Sequence, residues 1–245
     1  GDDLKSVDWR LSARRDRVYV REFENETAFS VLLLLDASAS MAYCSDAANH
    51  AKFSYAKRLV SHLGAFFLNQ RDRVRFLNLG QETRHHARPE APLVTLGQLV
   101  ERLVPLRASG AFPLPRAVRN AHAVSDAASG LLFLFSDFID PFFLQDEPRA
   151  FFDPGRKQLV LVRINDPAEV NFPFHRFRRF RDPETETQLL TDPSRVRAEY
   201  RDAFARHTAA LIAFCKRYGA RFIPVDTALP LETALDRILQ AAGVR

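Results

Sequence analysis

Aspartate and serine alternate in the segment Asp36-Ala37-Ser38-Ala39-Ser40-Met41, directly after five consecutive aliphatic residues, Val31 to Leu35. Alternation of this kind sets three oxygen-bearing side chains on one side of a tight loop, with the small Ala37 and Ala39 between them. Hard oxygen donors suit Mg²⁺ or Mn²⁺, which prefer octahedral oxygen shells and retain waters. A second apolar run, Leu131 to Phe135, also ends in a serine and an aspartate, Ser136 and Asp137. If the two runs are neighbouring strands, Asp36 and Asp137 meet at their ends and repel unless a cation or a proton lies between them. The alternative is that each aspartate caps the helix after its strand. The pair together with the serines favours a divalent-cation site.

These residues meet only if the apolar runs belong to one sheet. From residue 28 onward, apolar runs alternate with amphipathic stretches, the pattern of a parallel sheet covered on both faces by helices. The strands expected are Phe29 to Leu35, Val74 to Leu79, Leu131 to Phe135, Leu159 to Ile164 and Arg221 to Val225. Phe53, Ala56, Val60, Leu63 and Phe67 recur at steps of three and four and lie on one face of a helix. Further helices are expected from Pro113 to about Val124, from Arg195 to Tyr218 with Gly219 as its stop, and from about Leu231 to Ala242. In an open parallel sheet, ligands bind beyond the carboxyl ends of the strands, which is where Asp36 and Asp137 fall. Two pieces stand outside the alternation. Val18 to Phe23 reads as an early strand, and Phe174 to Leu190 as a hairpin around Asp182, Pro183 and Glu184, an excursion at the edge of the sheet. The expected fold is α/β: a mostly parallel central sheet flanked by helices (residues 28–245), with an arm and extra strand in residues 1–27 packed on it.

A chain of 245 residues, 47% hydrophobic and 27% charged, can build one generous core. No apolar run approaches the roughly 20 residues of a membrane-spanning helix. The chain opens at Gly1 inside a charged segment, so an upstream part carrying any targeting signal or anchor is expected to precede it. Cys44 and Cys215 lack the number and spacing of a disulfide framework or zinc motif, which points to thiols in a reducing compartment. The net charge of +5 arises with 30 acidic residues, and the arginines cluster near Arg10 to Arg21 and Arg176 to Arg181. With Phe177 and Phe180 interleaved, the second cluster reads as a charged, half-buried strand; no nucleic-acid partner is expected. Paired His85 and His86 point to different sides of an extended segment, and Trp9 anchors the arm. Phosphate-binding loops, the Gly-x-Ser-x-Gly elbow and the His-Glu-x-x-His helix are absent. Ser38 stands where an aspartyl-phosphate enzyme would carry its second aspartate.

The loop DASASM and the later strand-end SD resemble the metal-ion-dependent adhesion site of von Willebrand factor A-like domains. Taken in order, GDDLKSVDWRLSAR, REFENE, LLLLDASASM, FLFSDFID, INDPAE and FRDPETE resemble the bacterial domain-of-unknown-function family 58 over nearly the whole chain. The resemblance implies a three-layer Rossmann-like domain in which Ser38 and Ser40 coordinate Mg²⁺ or Mn²⁺ and Asp36 and Asp137 hold it, partly through water. It also implies that an acidic side chain of a partner completes the shell. The family's usual Gly-Gly-Thr-Asp-Leu loop, source of a threonine ligand, reads Gly110-Ala111-Phe112-Pro113-Leu114 here. Phe112 offers no oxygen, and Ser109 is the nearest hydroxyl. Such proteins are often encoded beside MoxR-type AAA+ ATPases, and many carry membrane helices upstream. The expectation is a non-enzymatic protein-binding module, cytoplasmic or tethered through an upstream segment, in ATPase-linked assembly or maturation. A Mg²⁺-dependent hydrolase using the same carboxylates, or a metal-free scaffold, is the alternative.

Overall fold

A computed structural model describes residues 29–80, 91–110, 130–139 and 157–244. The arm in residues 1–27, the helix expected from Pro113, the pair His85 and His86, and Phe112 lie outside these residues.

Five strands form the central sheet: β1 (Ser30–Asp36), β2 (Arg73–Leu79), β3 (Gly130–Ser136), β4 (Lys157–Asn165) and, late in the chain, a strand numbered β7 (Arg221–Asp226). Their order across the sheet is β2-β1-β3-β4-β7, and every pairing is parallel. The five runs anticipated from apolarity are these five strands. β1 and β3 are buried on both faces almost from end to end, which explains why they read as continuous aliphatic and aromatic runs and not as an alternation. The outer strands β2 and β7 alternate buried with more exposed positions.

Successive side chains of β1 serve two different cores. Val31, Leu33 and Leu35 pack with α1 (Lys52–Asn69), α2 (Leu96–Leu103) and α5 (Leu231–Ala241), through residues such as Leu59, Leu63, Leu99, Ala234 and Ile238. Leu32 and Leu34 pack on the opposite side with Leu211, Phe214 and Cys215 of α4 (Pro193–Tyr218). The result is a three-layer, Rossmann-like α/β sandwich, with helices on both faces of a parallel sheet. α4 begins two residues before the position its periodicity suggests, because Asp192 caps it and Pro193 needs no N–H partner at the first turn. It ends, as expected, at Gly219, whose φ of 66° belongs to the left-handed region.

After β4 comes the short α3 (Pro167–Asn171), then the hairpin β5 (Arg178–Arg181) and β6 (Gln188–Thr191). The hairpin is a two-stranded sheet of its own. Phe172 stacks on Phe180 and on Tyr200 of α4, at centroid distances of 5.7 and 4.4 Å, and Phe174 meets Phe180 edge-on. This aromatic group clamps the hairpin to the α4 side.

β3 approaches β1 closely at Gly130, where an added Cβ would lie 2.0 Å from the carbonyl oxygen of Ser30. That neighbour is backbone and can yield only by separating two central strands. Gly130→Ala is expected to lower the unfolding free energy by about 1–3 kcal/mol in urea titration. An unchanged midpoint would show that the spacing of β1 and β3 is not set here.

Candidate functional site

The chain runs from β1 to β2 on one side and returns to place β3 on the other, so the strand order reverses between β1 and β3. Ligands of open α/β sheets bind at that point, outside the carboxyl ends. Asp36 ends β1 and Ser136 ends β3, side by side. Asp137 follows one residue beyond.

Asp36 is buried and does not cap a helix. Its Oδ1 accepts the Ser38 N–H at 2.8 Å, closing a turn on its own loop, and its Oδ2 accepts the Ser136 hydroxyl at 2.6 Å. Ser38 Oγ lies 3.0 Å from Ser40 Oγ and within hydrogen-bonding reach of Asp36. Asp36, Ser38 and Ser40 thus present a row of oxygens along the rim. Burial, and secondarily the negative charge of Asp137, push the Asp36 carboxyl up to about 7 against the hydrogen bonds from Ser136 and Ser38. Ser109 borders the same loop: its N–H donates to the Ala37 carbonyl, and the Ala39 N–H donates to the Gly110 carbonyl, both at 2.9 Å. Its side chain belongs to an exposed residue.

Asp137 turns toward a residue that spacing arguments missed. Lys52, the first residue of α1, is wholly buried, and its Nζ donates to Asp137 Oδ2 at 2.8 Å and to Glu169 Oε1 at 2.5 Å. Burial alone would pull the ammonium down; attraction to the two carboxylates and its bonds to them outweigh this, and it ends above its ordinary value. Glu169 is fixed in turn by a capping box at α3. Asp166 Oδ1 accepts the Ala168 N–H, and Glu169 Oε2 accepts the Asp166 N–H, at 2.8 and 2.9 Å. Asp166 Oδ2 accepts the Ser45 N–H at 2.8 Å, tying the loop after Ser40 to the end of β4. Behind Asp137, the buried Arg163 donates from Nε to the Asp137 carbonyl at 3.1 Å and from Nη1 to Thr208 at 2.7 Å, its guanidinium 4.4 Å from the Phe204 ring centre. The turn itself is tight: Phe138 has a φ of 53°, unusual for a bulky residue, and His207 Nε2 donates to its carbonyl at 2.6 Å.

A further acid comes from the hairpin. Glu184, in the turn between β5 and β6, is half-buried, in the neighbourhood of Ser40. Burial, then the nearby charge of Asp137, raise this carboxyl, while Ser40 lowers it. Asp137 and Glu169 thus face both cations, Lys52 and Arg163, while Asp36 and Glu184 lie in the field of Asp137. Among the described residues no three His, Cys, Asp or Glu side chains converge tightly enough to cage a metal. A divalent ion fits the rim only in an open shell of serine hydroxyls, carboxylate oxygen and water, and the hard oxygen set at Asp36, Ser38 and Ser40 is of that kind.

The profile of the family "Protein of unknown function DUF58" matches residues 1–210. The chain belongs to the DUF58 family. Relatives of the DUF58 chain include the uncharacterized proteins Rv1480 of Mycobacterium tuberculosis (strain H37Rv) and Mb1516 of Mycobacterium bovis. Each is 22% identical over 93% of this chain and 71% of the relative. Its fold is similar to that of BatB from Bacteroides thetaiotaomicron, at a TM-score of 0.51 and 14% identity over 88% of this chain and 100% of that one. It is also similar to an aerotolerance-related membrane protein from Bacteroides fragilis, at 0.52 and 14% over 88% and 99%. No helix among the described residues of the DUF58 chain is long and apolar enough to cross a membrane.

Lys52 carried a readable signal. It stands four, seven, eight and eleven positions before Ala56, Leu59, Val60 and Leu63, on the buried stripe of α1. A cation there, at the positive end of a helix, needs acids nearby. Lys52→Met is expected to cost about 3–5 kcal/mol in denaturant unfolding, since it strands the buried Asp137 and the half-buried Glu169. Adding Glu169→Gln should restore part of the loss; no restoration would separate the two residues energetically.

Asp36 gives a pH signature. Its folded carboxyl titrates near 7 and an unfolded one at roughly 4. The folded chain therefore holds a proton between those values that the unfolded chain has released, and stability falls as pH rises through that window. Asp36→Asn should flatten this slope in melting curves taken from pH 4 to 8, and be the more stable form at pH 8. A slope unchanged by the substitution would remove Asp36 as its source.

Proposed function

We propose that this DUF58 chain is a non-enzymatic protein-binding module that engages its partner through the rim formed by Asp36, Ser38, Ser40 and Asp137. One observation carries the reading: the oxygen row at the end of β1 lies at the reversal point of the sheet, beside the Ser136-Asp137 end of β3. Ser38 and Ser40 would hold Mg²⁺ or Mn²⁺ directly, with Asp36 and Asp137 behind them and Ser109 on the flank. The ion would supply positive charge toward an acidic side chain of the partner. The protein's own part is to orient the hydroxyls and to keep the aspartates from collapsing onto the ion. Asp36 is held by Ser136 and the Ser38 N–H, and Asp137 by Lys52.

The disposition of the remaining acids supports binding over hydrolysis. Both oxygens of Asp166 accept backbone N–H groups, and those of Glu169 accept the Asp166 N–H and Lys52. Carboxylates engaged at both oxygens are poor acceptors for a proton from water. A metal-free scaffold draws support from Lys52, whose ammonium already neutralises Asp137. The partner we infer is a MoxR-type AAA+ ATPase in protein assembly or maturation. The setting is cytoplasmic, or a membrane surface reached through an upstream segment, as the membrane protein from Bacteroides fragilis suggests by its description.

Calorimetric titration of Mn²⁺ should show one site that Asp36→Ala abolishes without unfolding the chain. A purified MoxR-type ATPase should co-elute with the wild type in Mg²⁺ and not with chelator or with Asp36→Ala. Co-elution indifferent to both would favour the scaffold, and phosphatase or nuclease turnover in Mn²⁺ would favour hydrolysis.

A further inference from the structure

Residues 176–181 read Arg-Phe-Arg-Arg-Phe-Arg, and no acid stands between Asn171 and Arg181. The interleaving predicts a half-buried strand, but only Phe180 meets that expectation, held between Phe172 and Phe174. Phe177, just before β5, is 66% exposed. Cross-strand pairing separates two faces of the hairpin. Phe180 pairs with Leu189 on the side of the aromatic clamp, while Arg179 pairs with Leu190 on the opposite side, where Leu190 is 58% exposed. Arg176 and Arg179 have no acidic partner among the described residues; Arg178 lies over the Phe174 ring at 5.1 Å, and Arg181 pairs with Glu186 at 2.7 Å. The acids between the two strands, Asp182, Glu184 and Glu186, are all in the turn, and Asp192, just after β6, caps α4. The outer face of the ribbon is therefore apolar and cationic at once.

We propose that this face docks the domain on an anionic bilayer surface, with the arginines at the lipid phosphates and Phe177 and Leu190 entering the boundary with the acyl chains. Two features favour lipid over a macromolecule. Apolar side chains projecting from a two-stranded ribbon need a matching pocket in a folded partner and none in a bilayer, which deforms around them. A leucine gives nothing to a phosphate backbone or a stacked base, whereas in a bilayer it adds apolar burial to the attraction of a basic cluster for anionic lipid. Arginine suits the boundary because its stem stays in the apolar layer while its guanidinium reaches the headgroups. The acidic turn stays outside, so the hairpin lies flat on the surface and does not enter turn first. Phe180 stacks on Phe172, and Phe172 on Tyr200 of α4, so docking orients the whole sheet relative to the bilayer. Docking of this kind needs neither an ion at the rim nor an upstream segment, and it stands apart from the function proposed above.

Sedimentation with vesicles tests this on the whole chain, in chelator so that no ion contributes. Vesicles of phosphatidylcholine alone are compared with vesicles containing about one third phosphatidylglycerol. Wild type is expected to bind only the anionic vesicles and to be released by salt. Arg176→Glu/Arg179→Glu and Phe177→Ser/Leu190→Ser should each bind roughly tenfold or more weakly. Arg73→Glu/Arg221→Glu, the same change of charge at exposed arginines opening β2 and β7, should lose no more than about twofold. Melting curves check folding, and Phe177→Ser alone replaces its double variant if that one does not fold. No binding to anionic vesicles, undiminished binding by either hairpin variant, or an equal loss in the Arg73 and Arg221 variant would overturn the docking face. So would capture of poly-glutamate or single-stranded DNA through these residues without binding to vesicles, which assigns the face to an acidic protein or a nucleic acid.

Discussion

The ammonium of Lys52 sits at the amino end of α1, where the helix dipole and the lack of water both oppose a positive charge. It is tolerable only because Asp137 and Glu169 meet it there, one just beyond the end of β3 and the other on α3, which follows β4. One buried charge therefore requires the start of α1, the end of β3 and the short α3 to meet at the same place. Asp137 in turn is steadied by Arg163 through its carbonyl, and Glu169 by the cap on α3. Remove the ammonium, and the acids have no reason to remain close to one another or to the rim.

Around this knot the sheet divides its labour. The lower parts of β1 and β3 are packed on both faces and fix the spacing of the strands to within the width of a missing Cβ at Gly130. The upper ends hold the polar groups, each anchored by a partner from a different segment: Ser136 for Asp36, Gly110 for Ala39, Asp166 for Ser45. Rigidity below and polarity above is what lets a short loop of alanines and serines keep an ordered row of oxygens.

The sheet was legible because its central strands are solid apolar runs and its helices keep their period, as Phe53 to Phe67 does. Asp36, Ser38 and Ser40 were legible because they follow such a run directly. Lys52 and Glu169 were not singled out: a lone lysine in a helical stretch reads as solvated surface, and INDPAE entered only as one motif of the family resemblance, while in the structure it caps α3. Glu184 could not be placed by spacing at all, since its proximity to Ser40 depends on how a hairpin some 140 residues later packs on α4 through Phe172, Phe180 and Tyr200. Periodicity reports which face of an element is buried; it does not report which distant turn leans over a strand end.

The bonds that fix the rim join residues far apart in the chain: Lys52 to Asp137 spans 85 positions, Lys52 to Glu169 spans 117, and Ser45 to Asp166 spans 121. The unit β1-α1-β2, by contrast, closes within residues 30 to 79. Contacts across long loops carry a higher closure entropy and form after local ones. During synthesis the serine loop is therefore in place well before anything can hold it, and Lys52 stays hydrated until β3 and β4 dock. A half-made chain displays the motif without the site, so the rim becomes competent only when the whole sheet has been laid down.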